Sequence, residues 1–178
     1  MNHMICALMG YMGSGKSTVG KRLASEIKTE FIDLDRYIES KENVTVIDLI
    51  KQSHLQFRKL ESFYLENILK SKQSLVLSLG GGTPVYGQNL QLLSENQKVT
   101  SFYLRTSVRE LSQRLFKNRI TRPLIPSEIN SIEKLQDFIG KHLLERVHYY
   151  NQADFIIDTE FKTVKKIVSE INQKLISV

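Results

Sequence analysis

The stretch Gly10-Tyr11-Met12-Gly13-Ser14-Gly15-Lys16-Ser17 decides the fold of this 178-residue chain. It has the form G-x-x-x-x-G-K-[ST] and lies between the apolar run 4–9 and a helix-like segment 16–27. Glycines let the backbone curl around an anion, so that successive N–H groups and the positive end of the helix face phosphate oxygens. In this motif the lysine reaches the outer phosphates and the serine hydroxyl ligates Mg²⁺. The stretch therefore predicts a nucleoside triphosphate site and leaves the second substrate open.

Short apolar runs alternate with helix-like segments along the rest of the chain. The predicted strands cover residues 4–9, 29–33, 75–79, 99–104 and 155–157. The predicted helices include 16–27, a long helix over 46–70 with Thr45 as its N-cap, a helix capped by Thr106, and a closing helix over 163–175. Strands that alternate with helices form βαβ units, and helices then cover both faces of a parallel sheet. The pattern predicts one α/β domain.

Composition excludes several classes of protein. Hydrophobic residues make up 41% and charged residues 25% of the chain, which is typical of a globular domain and not of a collagen-like or disordered one. The single cysteine, Cys6, cannot form an internal disulfide, and its apolar surroundings indicate an inert core thiol. No apolar run approaches the roughly 18 residues that span a bilayer, and residues 1–9 lack a basic leader, so we expect a cytoplasmic protein without a membrane partner. The net charge of +6 suits nucleic acid, an anionic membrane or a small anion equally.

Two carboxylates follow the predicted second strand, in Asp33-Leu34-Asp35. Ligands of open α/β sheets bind outside the carboxyl ends of the strands, so both side chains are expected to face the cleft. Asp33 is a candidate to hold Mg²⁺ through water, and Asp35 to orient or deprotonate a hydroxyl. The alternative is that Asp35 only caps the following helix. Ser78 and Leu79 stand where many P-loop enzymes carry an acidic residue, which increases the importance of Asp33 for the metal.

Two further features are candidates for recognition of the second substrate. Arg58 and Glu61 are spaced i, i+3, so the arginine can clamp a carboxylate while Glu61 fixes its rotamer, or the two form an ordinary exposed ion pair. Gly80-Gly81-Gly82 follows the third predicted strand. It brings backbone N–H groups close to a ligand, or it is merely a turn.

The segment 117–130 has no sustained periodicity and carries two prolines and two arginines. An irregular stretch of that length in a compact domain is typically functional or disordered. Arg122 in this segment is a candidate lid arginine over the transferring phosphoryl group, or it is a solvated loop residue. Arg146 lies in a helix-like segment and, judged alone, is a surface residue.

The stretches GYMGSGKST, DLD, FRKLE, GGG, RPL and LLxRxxxY, in this order, resemble the shikimate kinase family over residues 4–158. The resemblance implies ATP-dependent phosphorylation of the 3-hydroxyl of shikimate, on the route to chorismate and the aromatic amino acids. It implies a P-loop NTPase-type α/β/α fold, like nucleoside monophosphate kinases, whose five-stranded parallel sheet has the order 2-3-1-4-5. It further implies a monomer with a single kinase domain over residues 1–178, a substrate-binding helical segment at 34–70 and a lid at about 114–130.

The resemblance also assigns roles to residues. The implied substrate-binding residues are Asp35, Arg58, Gly80, Gly81, Gly82 and Arg146. The implied ATP-binding residues are Gly13, Ser14, Gly15, Lys16, Ser17, Thr18, Arg122 and Arg114, the last of which would pack on adenine. Ser17 and Asp33 would hold Mg²⁺. The implied catalytic residues are Asp35, Lys16 and Arg122.

Two other functions stay open at the level of sequence. A related kinase acting on gluconate or a nucleoside monophosphate shares the P-loop, but the FRxxE and GGG stretches together with Arg146 favour shikimate. A nucleotide-dependent nucleic-acid-binding module would need a basic stripe with interleaved aromatic residues, whereas the arginines here concentrate near the lid and the phosphate sites. We therefore expect no nucleic acid partner. The four histidines, including His142, lack metal-ligand spacing and receive no role.

Overall fold

Five parallel strands form the centre of the computed structural model, which describes residues 4–72, 74–117 and 124–177. The strands are β1 (Ile5–Met9), β2 (Glu30–Asp33), β3 (Leu75–Ser78), β4 (Val99–Arg105) and β5 (Phe155–Asp158). Their order in the sheet is β2-β3-β1-β4-β5, and every neighbouring pair is parallel. The predicted α/β class and the order implied by the resemblance are both confirmed.

Helices cover both faces of this sheet. They are α1 (Lys16–Glu26), α2 (Leu34–Glu42), α3 (Val46–Gln52), α4 (His54–Ser71), α5 (Asn89–Ser94), α6 (Val108–Lys117), α7 (Ile132–Tyr150) and α8 (Val164–Ile176), with a 3₁₀ turn at Thr83–Val85. Ile5, Ala7 and Met9 of β1 pack in the apolar cluster that includes residues of α2 and α4. Cys6 and Leu8 pack in the opposite cluster with residues of α1 and α8. Alternate side chains of β1 thus enter two cores, which explains its uninterrupted apolar sequence.

The helical region predicted over 46–70 is two helices, so that prediction is wrong in one respect. Ser53 between them is extended (φ −164°, ψ 112°), and its side chain accepts a hydrogen bond from the Gln56 N–H at 3.3 Å. A serine in this position gives α4 its own N-cap, so a new helix begins after Ser53. Thr45 caps α3 as predicted, accepting from the Asp48 N–H at 3.2 Å.

The predicted cap of α6 is also wrong by one residue. The Ser107 hydroxyl accepts from the Glu110 N–H at 3.3 Å. Thr106 is buried instead, with its hydroxyl 2.7 Å from that of Thr159. Because Thr106 forms this contact with the segment after β5, the next residue is left to cap the helix.

Two exclusions drawn from the sequence can be compared with the fold. Cys6 is a free cysteine, fully buried in β1, and burial raises the pKa of its thiol, as expected for an inert core residue. Within the described ranges, no helix has both the length and the apolar character needed to cross a membrane.

Candidate active site

The carboxyl ends of β1, β2 and β3 meet at one edge of the sheet, where two adjoining cavities open. The register places Asp33 of β2 beside Ser78 of β3, and Ser78 beside Leu8 of β1, so the loops after these strands converge. The cavities measure about 580 and 480 Å³. The residues that line both are Met12, Ser17, Asp33, Asp35, Gly80 and Gly81. A ligand in one cavity therefore lies next to a ligand in the other.

The smaller cavity is built on the loop between β1 and α1. The backbone of this loop has a positive φ at three glycines, Gly10 (143°), Gly13 (83°) and Gly15 (95°). The Lys16 ammonium donates to the carbonyl oxygens of Gly10 at 2.9 Å and Tyr11 at 3.1 Å, which holds the amine at the loop. The Ser14 hydroxyl is buried and has no hydrogen-bond partner within the described part of the chain. This orphaned hydroxyl and the curled backbone fit a bound phosphate.

Oxygen ligands suited to a metal ion lie between the two cavities. The Ser17 hydroxyl donates to Asp33 Oδ2 at 2.5 Å and lies 3.5 Å from the Ser78 hydroxyl. The described residues contain no group of three His, Cys, Asp or Glu side chains that could hold a metal ion. Mg²⁺ keeps water ligands and binds through one or two carboxylates plus substrate phosphates, so an oxygen-only pair fits it. The structure thus brings together Ser17 and Asp33, the two residues that the resemblance assigns to Mg²⁺.

Asp35 lies in the first turn of α2 and lines both cavities. The cap of this helix is Asp33, which accepts from the Arg36 N–H at 3.4 Å, so the alternative that Asp35 only caps the helix is wrong. Burial raises the pKa of Asp35 to about 6, and the nearby carboxylates of Glu61 and Asp33 add to this rise against the opposing charges of Lys16 and Arg58. A carboxyl with this pKa exchanges a proton near neutral pH.

The Arg58–Glu61 pair is buried, in contrast to the exposed ion pair that was the alternative reading of the sequence. Arg58 Nη1 donates to Glu61 Oε2 at 2.6 Å, and the two side chains are only 14% and 0% exposed. The second oxygen of Glu61 accepts from the Thr83 hydroxyl at 2.6 Å. Both carboxylate oxygens are thus engaged, which fixes the guanidinium of Arg58 at the wall of the larger cavity.

Two of the three glycines after β3, Gly80 and Gly82, make room for these side chains. A Cβ at Gly80 would lie 2.9 Å from oxygens of Asp35, Glu61 and Thr83. A Cβ at Gly82 would lie 2.3 Å from Arg58 Nη2. Gly80 and Gly82 therefore have a steric role, because their missing side chains let the carboxylate and the guanidinium reach the cavity.

Arg146 on α7 lines the same cavity as Arg58 and is only partly exposed, so the isolated reading of Arg146 as a surface residue is wrong. Its guanidinium carbon lies 5.7 Å from the centroid of the Tyr11 ring. Among the residues that the structure describes, no carboxylate forms an ion pair with it. The larger cavity thus offers two guanidinium groups, of which only that of Arg58 has an acidic partner.

Three site residues received no individual role from the sequence. His142 lines the larger cavity, and its Nδ1 lies 3.2 Å from the Tyr11 hydroxyl. Tyr150 is buried, and its hydroxyl donates to the Gly81 carbonyl at 2.5 Å. His142 and Tyr150 are spaced four residues before and after Arg146, which places all three on one face of α7. That spacing was the available signal for both, whereas nothing local distinguishes Tyr11.

The remaining nucleotide-site predictions concern α6 and the segment after it. Arg114 lines the smaller cavity, with Nη1 donating to the Gly13 carbonyl at 3.2 Å and Nε to Glu110 at 2.9 Å. Thr18 lines this cavity as well. Arg122 lies outside the described residues, as does the central part of the lid predicted over 114–130.

A P-loop beside an acceptor cavity with a buried carboxylate and two arginines defines a phosphotransferase of the P-loop class that acts on a small anionic acceptor. The family model for shikimate kinase matches residues 12–176 of the chain. The protein belongs to the shikimate kinase family.

Individual relatives agree with this assignment. The chain is 39% identical over 169 residues to the shikimate kinase of Flavobacterium psychrophilum, an alignment that covers 94% of this chain and 96% of the relative. It resembles the crystal structure of shikimate kinase from Bacteroides thetaiotaomicron with a TM-score of 0.88 and 30% identity, covering 98% and 99% of the two chains. It also resembles shikimate kinase from Acinetobacter baumannii in complex with shikimate, with a TM-score of 0.83, 32% identity and coverage of 98% and 93%.

Proposed function

We propose that this protein transfers the γ-phosphoryl group of ATP to the 3-hydroxyl of shikimate and releases shikimate 3-phosphate and ADP. The observation that carries the proposal is the larger cavity, where Asp35, Arg58 and Arg146 converge beside the P-loop. Shikimate presents a carboxylate, which matches the guanidinium groups of Arg58 and Arg146. It also presents three hydroxyl groups, one of which can donate a hydrogen bond to the carboxylate of Asp35. The relative that is described in complex with shikimate supports this choice of acceptor.

The two arginines have different parts in binding the carboxylate of shikimate. Arg58 is already bonded to Glu61, which fixes its direction and neutralises part of its charge. Arg146 has no acidic partner in the described ranges, so its charge is available to the substrate. Arginine binds carboxylates through two parallel N–H···O bonds, which orient as well as attract the ligand. The acceptor is therefore anchored at its carboxylate, with a hydroxyl directed toward Asp35.

Asp35 orients the 3-hydroxyl and accepts its proton as the reaction proceeds. The hydroxyl oxygen forms a bond to the γ-phosphorus, while the bond from that phosphorus to the bridging oxygen of ADP breaks. Phosphoryl transfer has a loose transition state, so positioning and charge stabilisation lower the barrier more than a strong base does. The Lys16 ammonium and the N–H groups of the P-loop stabilise charge on the phosphate oxygens.

The other predicted roles complete the nucleotide side of the proposal. Ser17 and Asp33 would hold Mg²⁺, which would neutralise charge on the phosphates. Arg114 packs on adenine, and Arg122 closes over the phosphates from a lid at about 114–130. The acceptor is held by a helical segment at 34–70 within a single kinase domain over residues 1–178. We place this enzyme in the cytoplasm as a monomer.

The proposal is tested by ADP release in a coupled assay with ATP, Mg²⁺ and alternative acceptors. We expect turnover with shikimate and none with gluconate or a nucleoside monophosphate, because a nucleoside monophosphate has no carboxylate and the open chain of gluconate does not hold its hydroxyls in a fixed direction from its carboxylate. ADP release with gluconate but not with shikimate would overturn the choice of acceptor. Steeply salt-dependent binding to nucleic acid with no turnover of shikimate would favour a binding module instead.

The pH dependence of the reaction is expected to report the ionisation of Asp35. Because its pKa is raised to about 6, the active carboxylate is lost as the pH falls through 6, and kcat/KM for shikimate should decline about tenfold per pH unit below that value. The measurement is kcat/KM for shikimate between pH 5 and 8.

Two variants test whether this decline of kcat/KM at low pH, the acidic limb of the profile, belongs to Asp35. His142 also lines the cavity, and its pKa is lowered by burial and by the charge of Arg146. The His142→Gln variant should keep the limb, and the residual activity of Asp35→Asn should lack it. The reverse result would assign the limb to the histidine.

A further inference from the structure

We propose that Tyr11 of the P-loop is a positioning residue for the acceptor substrate: its ring holds the guanidinium of Arg146, and its hydroxyl holds α7 through His142. The inference rests on the proposed function and extends the acceptor site to a residue on the nucleotide side. It assigns to an unspecified position of the P-loop motif a contact that reaches across to the second substrate.

The first support is the way in which Arg146 is held. Its guanidinium carbon lies 5.7 Å from the centroid of the Tyr11 ring, within the range of a cation–π contact. Tyr11 is only 1% exposed, so its ring is enclosed by the residues packed around it. Arg58, the other cavity arginine, is fixed by the carboxylate of Glu61 at 2.6 Å. An aromatic face can orient Arg146 without neutralising it, which leaves the full charge for the carboxylate of the substrate.

The second support is that α7 is tied to the site on both sides of Arg146. Four residues before the arginine, His142 Nδ1 lies 3.2 Å from the Tyr11 hydroxyl. Four residues after it, the Tyr150 hydroxyl donates to the carbonyl of Gly81 at 2.5 Å. The two contacts lead to different loops, the P-loop and the glycine triplet. These two contacts therefore fix the position of Arg146 relative to both cavities.

The third support is the position of Tyr11 between the two substrates. Its carbonyl oxygen accepts from the Lys16 ammonium at 3.1 Å, and its side chain contacts Arg146 and His142. The ring also belongs to an apolar cluster formed with α6 and α7, whose buried members include Leu111, Leu115, Leu135 and Ile139. One residue thus supports the lysine of the phosphate site through its backbone and the arginine of the acceptor site through its side chain. Side-chain replacement separates these two functions.

The test compares Tyr11→Met with Tyr11→Phe. Methionine fills apolar space but has no aromatic face, so the KM and the calorimetric Kd for shikimate should rise about fivefold, with the KM for ATP changed less than about twofold. Phenylalanine keeps the ring and loses only the hydroxyl contact with His142, so the shikimate Kd should rise by about twofold, less than in Tyr11→Met. If Tyr11→Met does not yield folded protein by circular dichroism, Tyr11→Leu provides the same comparison.

A double-mutant cycle shows whether Tyr11 acts through Arg146. In the Arg146→Gln background, Tyr11→Met should no longer reduce kcat/KM for shikimate. Leu111→Val is the packing control, because Leu111 belongs to the same apolar cluster but lines neither cavity, and it should leave the KM for shikimate within about twofold of wild type.

Three outcomes contradict the inference: an unchanged shikimate KM in Tyr11→Met, an equal rise in the KM of both substrates, or a loss that persists at full size without Arg146. Failure of the proposed function gives a different result, since the wild-type protein would then neither bind shikimate in the calorimeter nor phosphorylate it.

Discussion

Asp35→Asn is expected to reduce kcat for shikimate phosphorylation by about 10³-fold, within the range typical of a group that accepts a proton in the transition state. Asparagine preserves the shape of the side chain but can neither take the proton nor offer two anionic oxygens to the hydroxyl. Asp35 lies in the first turn of α2 and lines both cavities, so its side chain is placed between the two substrates. The rate is measured at saturating ATP and shikimate.

The same substitution is expected to stabilise the folded protein. The pKa of Asp35 is raised from 3.8 to about 6, so at pH 7 the ionised carboxylate is less favourable in the folded state than in the unfolded chain. This unfavourable contribution is absent below the unfolded pKa and is fully present above about pH 6. Each pKa unit corresponds to about 1.4 kcal/mol, so Asp35→Asn should gain up to about 3 kcal/mol and several degrees in Tm at pH 7.

Turnover and Tm are expected to change in opposite directions in Asp35→Asn, which distinguishes a chemical role of Asp35 from a folding defect. A variant that loses activity because it is misfolded loses Tm as well, whereas Asp35→Asn should lose turnover and gain Tm. Asp137→Asn, an exposed carboxylate on α7 that lines neither cavity, is the matched control and should change neither quantity. Nearly full turnover of Asp35→Asn at saturating shikimate would exclude both the base role and the positioning role.

The fold could be predicted far into its details because its signals are local. The P-loop requires a strand before it and a helix after it, and the apolar runs give the other strands to within a residue or two. The order of parallel strands has no such local signal, and it came from the resemblance to a family. The break at Ser53 was missed because the apolar spacing continues through it, while a single serine that caps α4 ends one helix and starts the next.

The site could be predicted only where chemistry follows from spacing. The i, i+3 spacing of Arg58 and Glu61 predicts a contact, but their burial depends on Thr83 and Gly82, which reach them from another loop. Asp33 and Asp35 are adjacent to a strand end and were therefore predicted to face the cleft.

The contacts around Arg146 show where prediction from the sequence ends. Tyr11 and His142 are separated by 131 residues, and Tyr150 and Gly81 by 69. No sequence motif links the two members of either pair. Both contacts depend on how α7 packs against the loops at the strand ends. The resemblance identified the arginine, and only the packed structure gives the aromatic residues that hold it.

Arg146→Gln is expected to raise the KM for shikimate about 10²-fold, with a smaller change in kcat and a smaller loss of Tm than in Arg58→Gln. Removing one partner of a hydrogen-bonded charge pair costs about 2–5 kcal/mol in binding, and here the removal of Arg146 leaves the carboxylate of the substrate without that partner. No carboxylate of the described residues pairs with Arg146, so its removal leaves no carboxylate in the folded protein without an ion-pair partner.

Arg58→Gln is the informative comparison, because the two arginines line one cavity but differ in their partners. Glu61 is fully buried, and loss of Arg58 leaves it without its 2.6 Å ion pair, so this variant should lose about 3–5 kcal/mol of stability in addition to shikimate affinity. Arg146→Lys retains the charge without the planar fork and should fall between wild type and Arg146→Gln in KM. The measurements are the KM and calorimetric Kd for shikimate together with the Tm of each variant. Equal losses of Tm in Arg58→Gln and Arg146→Gln would contradict the division of roles, since only the first of these substitutions leaves a buried carboxylate without its partner.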